Sequence, residues 1–433
     1  MGFCHGILAI MPEPAPQQRE TGTPWRGAPE SPASAPRIDP RHKRWVVLLL
    51  TLMMFTATMD FMVLMPLGPK LMALFSLTPK KFSFLVSSYS FTAGIFGFIG
   101  SFFFDRLDRK HALLGAYVGF LLGTLVCAFA PDFPTLLVAR AISGAFGGLL
   151  SGISFAIIGD LFPISERGLA TGKLLTSYSL ASIVGVPIGL IVANRFGWNA
   201  TFGAIAWIGI AALWGANRYI PNARWHLETG MTRPFSGLTA NLKDGNARMA
   251  LLTTLLMVHS QFVVIPFISA YIVSNTGFPA FRLPHVYLIG GALTVITGIK
   301  MGRICDLYGA RKVFTLTGLL FLIPIYFITH LGHVEYWITL LTTTAIFVLS
   351  SLRSVPAVTL ISSSIPPTRR GSFMSLNSCV HQVGAASATF LSGWFVTQTG
   401  VGTEMKGFAD TAWLSIAFGI GAYFVGKRIK VVS

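Results

Sequence analysis

Ser101-Phe-Phe-Phe-Asp105-Arg106-Leu-Asp108-Arg109-Lys110 is the stretch that decides how the chain is read. It is a polar knot at the end of an apolar run, residues 82–104, and a second apolar run, 112–130, follows at once. A polar segment this short between two membrane-length stretches is a hairpin turn at a membrane face. Its basic residues Arg106, Arg109 and Lys110 assign that face to the cytoplasm. The pattern returns as Gly302-Arg-Ile-Cys-Asp306-Leu-Tyr-Gly309-Ala-Arg311-Lys312, with Asp306 placed 201 residues after Asp105. A second pair of segments, beginning at Pro163 and Pro366 and ending at Gly168 and Gly371, repeats at an offset of 203. Two motifs recurring at nearly one spacing indicate a duplicated chain.

Composition agrees with a membrane protein. The chain is 53% hydrophobic and 11% charged, against about 25% charged for soluble proteins. A net charge of +17 admits nucleic-acid binding, but in a membrane protein it is the excess of Lys and Arg on inner loops. No nucleic-acid partner is expected. The four cysteines form no disulfide framework and no zinc spacing, so neither metal nor cofactor is expected.

Residues 1–40 are rich in Pro, Ala, Gly and Glu and read as a disordered cytoplasmic tail, with translation starting at Met1 or Met11. Twelve apolar runs follow: 45–65, 82–104, 112–130, 136–161, 174–193, 201–219, 249–273, 286–303, 313–331, 336–361, 373–396 and 412–426. Each suits a helix crossing a bilayer, which takes about 20 residues. Without strict alternation they exclude a barrel. The chain divides into a first bundle (41–219), a cytoplasmic linker (220–247) and a second bundle (248–433). Most of the 33 basic residues fall on the tail and the even-numbered connections; Lys70, Lys80, Lys81, Arg195, Arg282 and Lys406 fall on the other side. Both termini are therefore expected in the cytoplasm.

These motifs resemble those of the major facilitator superfamily, and the resemblance covers nearly everything after residue 40. The family's loop motif is Gly-x-x-x-Asp-Arg-x-Gly-Arg-Arg/Lys. Asp105, Arg106, Arg109 and Lys110 fit it, while Ser101 and Asp108 replace its glycines. The second copy keeps Gly302, Asp306, Gly309 and Arg311 but has Leu307 in place of the first Arg. Arg140 and Gly144 match the Arg-x-x-x-Gly of the family's fourth helix. Gly185-Val-Pro187-Ile-Gly189 is similar to the Gly-Pro motif of the drug:proton antiporter branch, interrupted by Val186. The resemblance implies an all-α membrane protein of two six-helix bundles related by a pseudo-two-fold axis. It implies a monomeric secondary transporter of a bacterial-type inner membrane, working by alternating access on a small molecule and protons. The branch implies proton-coupled efflux of drugs, sugars or metabolites; the alternative is proton-driven uptake of a sugar or organic acid. An enzyme is not expected, since there is no nucleotide loop, no zinc motif and no intramembrane carboxylate pair. A passive channel fits poorly with duplicated gating hairpins.

Ionisable residues inside spans are rare and mark function. Away from the cytoplasmic ends they are Asp60, Arg140, His259 and Arg353, on the first, fourth, seventh and tenth spans. The resemblance implies that these helices line the central cavity. Counted at 1.5 Å per residue, Asp60 and Arg140 come to similar depth. They form either a proton-coupling pair or a fixed structural ion pair. His259 either carries a proton or contacts substrate, or else packs. Arg353 either holds an anionic substrate or pairs with backbone carbonyls. Gln261, two residues from His259, points to another face of its helix and joins Arg353 as a candidate lining of the substrate cavity. Asn377, His381 and Gln382 on the eleventh span are candidate substrate contacts; Cys379 and His381 share no face, which excludes a metal pair there. Gly144 permits close packing, and Gly185, Pro187 and Gly189 place a kink on the fifth span. The resemblance also implies a latch, Asp105 approaching the start of the eleventh helix near Gly371 when the cytoplasmic side is shut.

Overall fold

The computed structural model describes residues 39–103, 107–222, 234–366, 369–400 and 403–432. Asp105 and Arg106, the tail through residue 38 and linker residues 223–233 lie outside them. In chain order the helices are α1 (Pro40–Val63), α2 (Gly68–Leu74), α3 (Pro79–Phe103), α4 (Arg109–Ala128), α5 (Phe133–Leu161), α6 (Ile164–Leu180), a π turn (Ala181–Gly185), α7 (Val186–Phe196) and α8 (Trp198–Tyr219). The second half has α9 (Pro234–Lys243), α10 (Gly245–Phe262), α11 (Ile265–Asn275), α12 (Leu283–Tyr308), α13 (Ala310–His330), α14 (Tyr336–Ser362), α15 (Arg370–Phe395) and α16 (Phe408–Lys427). A two-stranded antiparallel ribbon, β1 (Thr397–Gln398) and β2 (Met405–Lys406), precedes α16.

Short side chains start many of these helices by satisfying orphan backbone donors. Asp108 accepts from the Lys110 N–H to open α4, and Asp244 accepts from Asn246 to open α10. Asp132 accepts from Thr135, from its hydroxyl and from its backbone N–H at 2.9 Å, and these bonds hold its carboxyl below the usual carboxylate range. Gly309 sits at φ +83°, a left-handed conformation that suits glycine, and it both ends α12 and begins α13. This gives the second motif's glycine a mechanical role.

Eleven described helical segments are long and apolar enough to cross a membrane. The expected eleventh run is the exception: α15 has 26 residues, enough to cross about 30 Å, but is too polar to qualify. Asn377, His381 and Gln382 dilute it, and it packs on α3 and α10. Within the linker, α9 forms and packs on the start of α15, where Asn241 donates to Ser372 at 3.1 Å.

The helices form two bundles. In the first, α1 packs on α6 and α8, and α5 packs on α3 and α4. In the second, α10 packs on α15 and α16, and α14 on α12 and α13. The halves meet along α3–α15 and along α12 with the π turn and α7. A Cβ at Gly144 would run into the Tyr89 backbone, so glycine lets α5 close on α3. At the end opposite the loop motif, the halves are sealed by Phe82 edge-on to Phe267 (5.8 Å) and Phe84 edge-on to Phe390 (4.9 Å), with Lys80 over the Trp394 ring at 3.5 Å.

Candidate transport site

Each bundle encloses an arginine. Arg140 on α5 is fully buried, and its Nη1 donates to Asp60 Oδ2 of α1 at 2.6 Å and to the Asp60 backbone carbonyl at 3.2 Å. Thr124 of α4 donates to the other carboxylate oxygen at 3.3 Å. The guanidinium lies over the Tyr89 ring at 4.5 Å and faces Phe202 at 5.9 Å. A carboxylate in this position feels two opposed influences, burial away from water and an adjacent positive charge. Such a group can gain and lose a proton as either influence changes.

Arg353 on α14 is the second arginine, 2% exposed. Its acceptors are neutral: Met257 O at 3.2 Å and Gln261 Oε1 at 3.1 Å for Nη2, and Ser260 Oγ at 3.5 Å for Nη1. It stacks on Phe321 at 3.9 Å. Among the described residues no carboxylate pairs with it, and Nε has no acceptor.

His259 joins neither cluster. Its Nδ1 meets Leu255 O at 2.8 Å, its Nε2 meets Ser387 Oγ at 3.2 Å, and its ring tilts against Phe418 of α16 at 5.0 Å. Met257 and Gln261 are four apart on one face of α10, and His259 between them points to another. Asn377 accepts from Thr254 at 2.6 Å, and His381 stands edge-on to Phe262 at 6.3 Å. Gln382 lies against Gly94 of α3, at the seam between halves.

Comparison with known proteins agrees with this architecture. A model of the Major Facilitator Superfamily matches residues 50–306 and again residues 250–426. The chain belongs to the major facilitator superfamily. The uncharacterized MFS-type transporter YwfA of Bacillus subtilis (strain 168) is 32% identical over 161 residues, 36% of this chain and 38% of that protein. YceJ of the same bacterium, another uncharacterized MFS-type transporter, is 24% identical over 359 residues, 80% of this chain and 88% of its own length. Among solved structures, a D-xylose-proton symporter superposes with a TM-score of 0.72 at 15% identity, covering 90% of this chain and 99% of that one. The protein is thus a multi-pass membrane transporter of the family.

In this major facilitator protein the described part of the loop motif ties helices of the first half together. Arg109 Nε meets Asp160 Oδ2 at 3.0 Å, and Lys110 Nζ donates to Asn217 O at 2.7 Å. In the second copy, Gly302 and Asp306 lie on the last turns of α12, Asp306 exposed, and Arg311 donates to Ile429 O. Gly185 and Gly189 face Met59 and Val63 of α1, beside Asp60. Just before Pro187, on the segment where a kink was expected, the backbone forms the π turn, and the Val186 N–H bonds Ala181 O. Thr124, Tyr89, Ser260 and Phe321 are the site residues missed in the sequence. Nothing in their local pattern distinguishes them from other polar or aromatic residues in spans.

Proposed function

We propose that this transporter is a proton-coupled exporter of small organic compounds, with Asp60 as the proton carrier and Arg140 as the group that tunes its release. Both termini and the linker face the cytoplasm in this reading, as the distribution of Lys and Arg supports. The observation that carries it is the fully buried Asp60–Arg140 pair at 2.6 Å. An exchanger needs a site that alternates between charged and neutral forms, and Asp60 is the carboxylate placed deep within a span to supply it. Rocking of the two halves changes the hydration around α1 and α5 of the first bundle, and that alters the balance between burial and the guanidinium. Export is supported by the resemblance of Gly185-Val-Pro187-Ile-Gly189 to the antiporter branch.

The test is transport in proteoliposomes under an imposed proton gradient. Asp60→Asn should abolish uphill movement while substrate exchange at equal pH on both sides survives, because exchange moves no net proton. Uphill accumulation by Asp60→Asn with wild-type pH dependence would place the proton site elsewhere. Reversing the gradient in oriented vesicles reports the working direction.

A further inference from the structure

We infer that Gln261, held by Arg353, forms an anion-reading contact of the substrate site, and that the class of ligand it takes is a carboxylate. The inference rests on the reading of the protein as a carrier of small organic compounds and names the chemistry of one group on its cargo. Gln261 is half-buried, and Arg353 behind it is almost wholly buried. An arginine has only donors, so the amide must turn its oxygen toward Nη2, at 3.1 Å. That fixes the orientation of a group that is otherwise free to flip. The Gln261 amide nitrogen makes no hydrogen bond among the described residues and is not sealed from solvent. The side chain therefore presents two N–H donors outward, away from Arg353.

Charge then selects the ligand. Among the described residues Arg353 has no carboxylate partner, and its Nε has no acceptor. A positive charge held in a low-dielectric bundle on neutral acceptors favours a negative group nearby. The outward donors of Gln261 are where such a group can approach it. Phe262, next in the chain, meets His381 of α15 at 6.3 Å, and both are half-buried, as is Asn377 on the same helix as His381. A neutral acceptor would satisfy the amide but leave the charge uncompensated, whereas a carboxylate does both. Arg353 is a positioning residue in this scheme, and Gln261 is the contact.

The test is ligand-induced thermal stabilisation of the purified full-length protein at one pH with no gradient. It is therefore independent of proton coupling and of Asp60. The probes are formate, acetate, lactate and benzoate, each against its own amide. Wild type should be stabilised more by at least one carboxylate than by its amide. Gln261→Glu, which keeps its length and gains a charged partner in Arg353, should fold with an equal or higher unfolding midpoint and lose that preference. Arg353→Lys, which keeps the charge but not the orienting fork, should weaken the preference without reversing it. Equal stabilisation of wild type by every acid and its amide would overturn the proposal, as would a carboxylate preference retained in Gln261→Glu.

Discussion

The two halves bury their arginines in matching frames with opposite chemistry. Arg140 and Arg353 each project from the fourth long helix of a half toward the first, and each stacks on an aromatic ring, Tyr89 or Phe321. Asp60 and Gln261, their partners, are 201 residues apart, the offset that also separates Asp105 from Asp306. The first half thus holds a carboxylate, Asp60, where the second holds a side-chain amide one methylene longer, Gln261. A carboxylate can be neutralised by one proton; an amide cannot. The comparison teaches that duplication supplied one arginine frame twice and that a single functional group separates a site able to titrate from one of constant charge.

The largest expected effect breaks the first site. Arg140→Ala leaves Asp60 buried without its counter-charge, and such a loss costs about 3–5 kcal/mol. Arg353→Met removes a charge whose partners are neutral and one of which, Gln261, is half-buried and can be hydrated. Its cost should stay below about 3 kcal/mol, the upper range for hydrogen bonds to a charged group. Thermal unfolding of the two variants in one detergent checks the order, and equal losses would erase the proposed difference between the halves.

A swap sharpens the comparison further. Asp60→Gln with Gln261→Glu moves the carboxylate into the second frame while leaving both arginines in place. The double variant should be more stable than Asp60→Gln alone, because Arg353 gains an ion pair, yet proton-driven transport should stay lost because α1 no longer titrates. Recovery of uphill transport would show that either frame can couple protons. The smallest effect belongs to Thr124→Val. It removes the 3.3 Å bond to Asp60 Oδ1 and should cost about 1 kcal/mol, with a small displacement of the pH profile of transport and no loss of coupling.

Much of this architecture was legible because lipid leaves little choice: apolar runs of crossing length must be helices. The motif around Asp105 and its copy at Asp306 exposed the duplication, and the rarity of charge in spans singled out Asp60, Arg140 and Arg353. Those same rules are local, and what they missed is not. Arg353 and Gln261 are 92 residues apart, and no periodicity on one helix announces a contact with another. Gln261 was legible as a candidate for the substrate cavity but not as the partner of Arg353, although its offset from Asp60 carried the clue. His259 shows the converse. It is ionisable and central in its span, but helical phase turns it toward Ser387 and Phe418. The π turn at Ala181–Gly185 was legible only as a kink, because Gly and Pro signal a break in hydrogen bonding without specifying how the backbone closes it.

The most direct test of the central claim is infrared difference spectroscopy of the purified protein during a pH titration, read in the carboxylic-acid C=O stretching region. The account predicts a buried carboxyl band that appears and disappears reversibly with pH in wild type, is absent in Asp60→Asn, and persists in Gln261→Asn. A titrating band unchanged in Asp60→Asn, or none in wild type over the range where the protein stays folded, would contradict it.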